Sequence, residues 1–119
     1  MIDHLGLRVS DLAKSRAFYI KALQPLGYSV IIEFPGAVGF GTPAKPDFWL
    51  GQGAGGAAHV AFVAPDRDTV DAFYAAAIAA GGKDNGKPGL RPQYHPDYYG
   101  AFVLDPDGNN IEAVTHRPE

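Results

Sequence analysis

The chain of 119 residues contains no cysteine. This absence excludes disulfide bonds, thiolate nucleophiles and cysteine-ligated zinc, and it suits a reducing compartment. Any metal ion would therefore be held by nitrogen and oxygen atoms. The chain also lacks an apolar run of about 20 residues, and its first residues lack the basic start and long apolar segment of a signal peptide. We expect a cytoplasmic protein with no membrane partner.

Positive charge is also scarce, since 10 basic residues face 13 acidic ones and the net charge is −3. No run of lysine or arginine suited to phosphates is present, so nucleic acid is not an expected partner. The sequence is 46% hydrophobic and 12% aromatic, which is typical of a globular protein. Its length predicts a single domain, residues 1–119.

The two halves of the chain repeat one pattern. A shift of 55 positions, the difference between His4 and His59, also aligns Asp11 with Asp66. It further aligns the two Ala-Phe-Tyr triplets that end at Tyr19 and Tyr74. A repeat of this length indicates one supersecondary unit used twice around a shared core. We define module one as residues 1–54 and module two as residues 55–119.

Each module is predicted to begin with a strand and a helix, because an alternating apolar segment leads into an aspartate that can cap a helix. Three short strands are predicted to follow in module one, over residues 28–34, 38–41 and 47–50. Module two is predicted to end with a hairpin of residues 99–104 and 110–115. Residues 83–96 are predicted to contain one short strand and a loop. The pattern predicts an α+β fold of two βαβββ modules.

Strand alternation places three potential metal ligands on one side of these strands. His4 shares its face with Gly6 and Arg8, away from the apolar face that packs under the helix. His59 shares its face with Ala61 in the same way, and Glu112 lies opposite Ile111 and Ala113 on the last strand. Two imidazoles and one carboxylate form a set that suits Fe(II), Mn(II) or Zn(II). The alternative is that these are ordinary hydrogen-bonded residues.

The sequence resembles the vicinal oxygen chelate superfamily, which includes glyoxalases, bleomycin-resistance proteins, fosfomycin-resistance enzymes and extradiol dioxygenases. The resemblance covers the whole chain. It rests on the opening segment 4–11, the helix segment 15–19, the restart at 59–62 and the closing Asp-Pro-Asp-Gly-Asn-Asn-Ile-Glu of 105–112.

The resemblance implies that the modules form a curved, cup-shaped mixed sheet with the helices outside. It implies His4, His59 and Glu112 as ligands of one divalent ion, which could be Fe, Mn, Ni or Zn. It also implies a small-molecule substrate bound through adjacent oxygens, and a homodimer whose site lies within one chain or across two. The fourth ligand of the glyoxalase pattern, a glutamate, aligns with Trp49. The remaining set therefore looks more like that of extradiol dioxygenases.

Other residues are candidates for the substrate or the proton transfer. Arg8 and Arg91 could hold an anionic group, and Trp49 offers a stacking surface. The loop over residues 91–99 is rich in titratable groups and could form a lid. Within it, His95 is the leading general acid or base, ahead of His116, and Tyr94 or Tyr98 could orient a substrate oxygen.

Three hypotheses follow. The first is a small metal-dependent enzyme of the glyoxalase or dioxygenase type, either a lyase or isomerase or a dioxygenase. The alternative is a non-catalytic protein, similar to the bleomycin-resistance branch, that binds a small aromatic molecule in the cup. The third and weakest is a structural dimerisation module.

Overall fold

The structure is a computed structural model that describes residues 2–43 and 45–119. Module one forms a four-stranded sheet in the order β1-β4-β3-β2 with one helix. Strand β1 is parallel to β4, and the other neighbours are antiparallel. A short 3₁₀ helix, which the sequence pattern did not predict, covers Gln24–Leu26. The elements are β1 (Leu5–Val9), α1 (Leu12–Ala22), β2 (Ser29–Phe34), β3 (Ala37–Thr42) and β4 (Lys45–Gln52).

Module two repeats this arrangement with the strand order β5-β8-β7-β6. The predicted α+β fold of two βαβββ modules is therefore confirmed. The strand and the loop predicted within residues 83–96 are both present, but the strand, β6, is longer than predicted, with 8 residues. As an edge strand with two register shifts, β6 accommodates glycine and proline that a central strand would exclude. The elements are β5 (His59–Val63), α2 (Arg67–Ala79), β6 (Lys83–Leu90), β7 (Tyr99–Leu104) and β8 (Asn110–Thr115).

One hydrophobic core is shared by the two modules. The ring of Phe62 on β5 packs edgewise against Phe48 on β4 at a centroid distance of 5.2 Å. Polar contacts reinforce this junction, since the Tyr19 hydroxyl donates to Asp105 at 2.6 Å and the Ser10 hydroxyl donates to Asp107 at 2.6 Å. The turn between β7 and β8 thereby joins module two to Ser10, which precedes α1, and to the C-terminal half of α1.

The alternation predicted for the first strand of each module is confirmed. Leu7 and Val9 are buried while Gly6 and Arg8 are exposed, and β5 shows the same pattern. The apolar face of each sheet contributes to the shared core, and we call the opposite face of each sheet its cup face. Within the described residues, neither helix has the length and apolar character needed to cross a membrane.

Candidate metal site

The cup face of module two brings together a histidine and a glutamate. Glu112, on the central strand β8, is only 1% exposed, and its Oε1 lies 3.2 Å from Nε2 of His59 on the neighbouring β5. The parallel register that pairs Ala61 with Glu112 sets this approach. A buried carboxylate requires a polar or cationic partner, because desolvation without one is costly. His59, at 50% exposure, stands at the opening of this site.

The backbone sets the orientation of the imidazole. Nδ1 of His59 lies 3.0 Å from the carbonyl oxygen of Asn110, which can only accept a hydrogen bond. Nδ1 therefore carries a proton, so that in the neutral form of the imidazole the lone pair of Nε2 would point toward Oε1 of Glu112. Two acceptor atoms that face each other in this way repel unless a positive charge lies between them. A divalent metal ion supplies that charge, as does a second proton on the imidazole. Nε2 of His59 and Oε1 of Glu112 therefore fit a metal site.

Tyr98 completes the surroundings of the carboxylate. Its hydroxyl donates a hydrogen bond to Oε2 of Glu112, the oxygen that does not face His59. Burial and the bond to Glu112 raise the pKa of Tyr98 above its usual range. The phenol therefore keeps its proton at physiological pH and acts as a donor.

These side chains surround a cavity of about 250 Å³, which we call the His59 cavity. Sequence reasoning missed Phe102 and Asn110. The signal that could have revealed Phe102 is strand pairing, because Phe102 is the register partner of Glu112 on β7 and points to the same face. The six lining residues are His59, Tyr94, Tyr98, Phe102, Asn110 and Glu112.

The structure places His4 apart from this pair. Nδ1 of His4 lies 2.8 Å from Asp3, and the residue lines a separate cavity on module one, the Trp49 cavity, together with Gly6, Lys45, Pro46 and Trp49. Over residues 2–43 and 45–119, no three histidine, aspartate or glutamate side chains converge on one point. One chain thus brings together two of the three ligands predicted from the sequence.

Trp49 occupies the position in module one that Glu112 occupies in module two. Trp49 pairs with Gly6 on β1, and Glu112 pairs with Ala61 at the repeat-equivalent position of β5. The indole ring lies across Gly39, where an added methyl group would come within 2.9 Å of it. It also stacks on Phe34 at a centroid distance of 6.3 Å and an interplanar angle of 11°. Module one therefore presents an aromatic surface on its cup face.

The other predicted site residues lie around these two faces. Tyr94 lines the His59 cavity, whereas Nδ1 of His95 accepts from the amide of Asp97 at 3.1 Å and its ring packs against His116. His95 is not among the residues that line this cavity. The guanidinium of Arg91 lies 5.5 Å from the centre of the Phe102 ring, and Arg8 is exposed on the cup face of module one.

Two βαβββ modules with a histidine–glutamate pair on one cup face define a class of small paired-module protein. Residues 1–113 match the model of the Glyoxalase/Bleomycin resistance protein/Dioxygenase superfamily, and the chain belongs to this superfamily. No curated protein matches the chain.

Solved structures agree with this assignment. A glyoxalase/bleomycin resistance protein from Albidiferax ferrireducens T118 is 31% identical, with a TM-score of 0.81 and 98% of each chain covered. A family enzyme from Burkholderia phytofirmans PsJN is 21% identical with a TM-score of 0.74, covering 95% of this chain and 96% of that one. A lactoylglutathione lyase from Agrobacterium tumefaciens is 23% identical with a TM-score of 0.73, covering 96% and 92%. The last two likenesses concern the fold alone.

Proposed function

We propose that the protein is a small divalent-metal-dependent enzyme of the glyoxalase/dioxygenase type, with a substrate that binds through adjacent oxygens. The observation that carries this proposal is the buried Glu112 carboxylate, whose Oε1 lies 3.2 Å from Nε2 of His59. His59 and Glu112 would hold the ion together with His4. A bound ion would act as a Lewis acid that polarises the two substrate oxygens and stabilises negative charge on them.

The chain's own residues have distinct tasks in this proposal. Asn110, through its carbonyl oxygen, keeps the imidazole of His59 in the tautomer that can bind a metal. Phe102 lines the His59 cavity and would shield one side of the Glu112 carboxylate from water. Tyr94, at the cavity lining and 63% exposed, is placed to contact a substrate.

A second copy of the chain is the proposed source of His4. Strands β1 and β5 each lie at an edge of their sheet, so both have an unpaired side. Two large apolar residues next to these edges are exposed to solvent, Ile2 at 80% and Val63 at 84%. Exposed apolar groups at free strand edges favour association. A homodimer that pairs module one of one copy with module two of the other would bring His4 toward His59 and Glu112.

Metal affinity of Glu112→Ala and Trp49→Ala tests the metal site, because the two residues occupy equivalent register positions. Isothermal titration of chelator-treated protein with Mn²⁺ should show near-stoichiometric binding for the wild type. Glu112→Ala should weaken binding by about a thousandfold, or about 4 kcal/mol, whereas Trp49→Ala should retain it. Equal binding by the wild type and Glu112→Ala would refute the proposed site.

A mixing experiment tests the shared site. His4→Ala and Glu112→Ala should each bind metal poorly when pure. After the two variants are unfolded and refolded together, half of the dimers are mixed, and each mixed dimer contains one intact site. Binding should then recover to about a quarter of the wild-type capacity. If all three ligands came from one chain, mixing would restore nothing.

The Phe34–Trp49 surface favours a second candidate function, the binding of a small aromatic molecule without catalysis. Two nearly parallel rings offer a stacking face of the kind that planar ligands use. Because the chain has one tryptophan, its fluorescence reports directly on this surface. Quenching by a planar aromatic compound in metal-free protein, weakened in Phe34→Ala, would support this function. Binding that requires metal would favour the enzyme instead.

A further inference from the structure

The two oxygens of the Glu112 carboxylate have different partners. Oε1 faces His59, and Oε2 accepts the hydrogen bond of the Tyr98 hydroxyl. We propose that Tyr98 is a positioning residue that engages Oε2, so that Glu112 offers a metal ion Oε1 alone. This inference rests on the metal site proposed above. In this proposal Tyr98 acts on Glu112, the residue that would bind the metal, and not on the substrate.

The hydrogen bond from Tyr98 to Glu112 affects how many coordination positions of a bound ion would stay open for a substrate. A carboxylate with two free oxygens can bind an ion through both of them and occupy two coordination positions. With Oε2 held by a phenol, Glu112 would occupy one position of a bound ion and leave the other open. A substrate that binds through two adjacent oxygens needs neighbouring open positions. Tyr98 thereby favours this mode of binding through its hydrogen bond to Oε2 of Glu112.

The backbone around the carboxylate leaves space for this arrangement. A methyl group on Gly100 would lie 3.2 Å from Oε2 of Glu112 and 3.2 Å from Cε1 of Tyr98. Both distances are tighter than ordinary van der Waals contact. Glycine at this position of β7 therefore allows the phenol and the carboxylate to meet.

Tyr98 is held in place from both its backbone and its ring. Its carbonyl oxygen accepts from the amide of Arg91 at 2.8 Å, and its own amide donates to the carbonyl of His95 at 3.1 Å. Its ring packs edgewise against Tyr94 and against His116, each at a centroid distance of 5.1 Å. The hydroxyl is thus directed at Oε2 before any ligand binds, as a preorganised site requires.

Tyr98→Phe tests the proposal, with Tyr99→Phe as the matched control. The Tyr99 hydroxyl donates to Asp71 on α2 at 2.7 Å, and Tyr99 is not among the residues that line the His59 cavity. Titration with Mn²⁺ should show dissociation constants raised about 10- to 100-fold in Tyr98→Phe and unchanged in Tyr99→Phe. The visible spectrum of bound Co²⁺ should also change in Tyr98→Phe, because the coordination by Glu112 changes.

A double-mutant cycle separates positioning from general stability. In a Glu112→Gln background the further change Tyr98→Phe should leave Mn²⁺ affinity unaltered. Gly100→Ala supplies an independent disturbance, since it retains the phenol but crowds Oε2, and it should also weaken binding. If the wild type binds Mn²⁺ and Tyr98→Phe binds it equally well, the positioning role is refuted and the metal site stands. If the wild type binds no divalent ion, both proposals fail.

Discussion

The last strands of the two modules differ at one equivalent position. β4 carries Trp49 and β8 carries Glu112, although both strands pair in parallel with the first strand of their module in the same register. Trp49 lies on Gly39 and stacks on Phe34, whereas Glu112 faces His59 and Tyr98. The same backbone therefore supports an aromatic surface in one module and a polar pair in the other. The difference between the two cup faces therefore lies in the side chains at matched positions and not in the backbone fold.

The connections before β3 and β7 differ as well. β2 turns into β3 through Pro35 and Gly36, and Gly36 has a φ of 83°, which favours glycine. The corresponding connection of module two is the eight-residue loop of residues 91–98, which places Tyr94 and Tyr98 beside the cup face. The short turn leaves the aromatic surface of module one open, while the longer loop supplies polar groups to module two.

The largest expected effect on stability concerns the turn that joins module two to module one. Asp105 is 5% exposed and accepts hydrogen bonds from the Tyr19 hydroxyl, from the amides of Asp107 and Asn109, and from the Asn109 side chain. Asp105→Ala should lower the free energy of unfolding by about 3 kcal/mol, because it leaves buried donors without an acceptor. Urea unfolding measures this change. Asp105→Asn should cost less, and a loss equal to that of alanine would argue against the hydrogen bonds.

The loss of stability at high pH should distinguish Tyr19 from Tyr74, the two tyrosines that the repeat aligns. Burial, followed by the charge of Asp105 and the bond to it, raises the pKa of the fully buried Tyr19. Tyr74 is only partly buried. A raised folded-state pKa gives stability that is complete below the ordinary phenol value near 10 and is lost as the pH rises above it. Stability should fall by about 1.4 kcal/mol per pH unit above pH 10 through Tyr19.

Unfolding curves between pH 9 and pH 11 measure this slope. Tyr19→Phe should be less stable at pH 8 but should show a much flatter decline. Tyr74→Phe should flatten the decline less, because partial burial and the neighbouring Asp84 raise the pKa of Tyr74 less than burial and Asp105 raise that of Tyr19. A flatter decline in Tyr74→Phe alone would show that the repeat-related tyrosine dominates.

Trp49→Glu is the change that would make module one resemble module two. The new carboxylate would occupy the register position of Glu112 and lie on the cup face beside His4. We expect Mn²⁺ affinity to rise about tenfold, or 1.4 kcal/mol, because a fourth ligand becomes available. Trp49→Gln is the matched control, since it removes the indole without adding charge. Equal affinity in the two variants would show that this position lies out of reach of the metal.

The repeat was sufficient to predict most of the fold. Strand alternation placed His59 and Glu112 on one face, and the aspartates at 11 and 66 marked both helix starts. The contact of Glu112 with Tyr98 was not predictable, because it depends on how the loop of residues 91–98 folds over β8. The separation of His4 from the pair was also not predictable, since strand periodicity gives the face of a residue but not the distance between sheets.

The smallest expected effect compares the two helix caps. Asp66 accepts bonds from both the amide and the hydroxyl of Thr69, at 2.8 and 2.7 Å, whereas Asp11 accepts one bond from the amide of Lys14 at 3.1 Å. Asp66→Ala should therefore lower the midpoint of urea unfolding slightly more than Asp11→Ala does.

Acid titration sharpens the comparison of the caps. The bonds from Thr69 lower the pKa of Asp66, so the contribution of this cap is present above the ordinary aspartate value and is lost as the pH falls through the lowered one. The stability difference between the wild type and Asp66→Ala should therefore shrink below pH 4. Thr69→Val, which removes the hydroxyl but keeps the amide, should reduce the cost of Asp66→Ala toward that of Asp11→Ala. If it leaves that cost unchanged, the bond from the backbone amide of Thr69 alone accounts for the cap at Asp66.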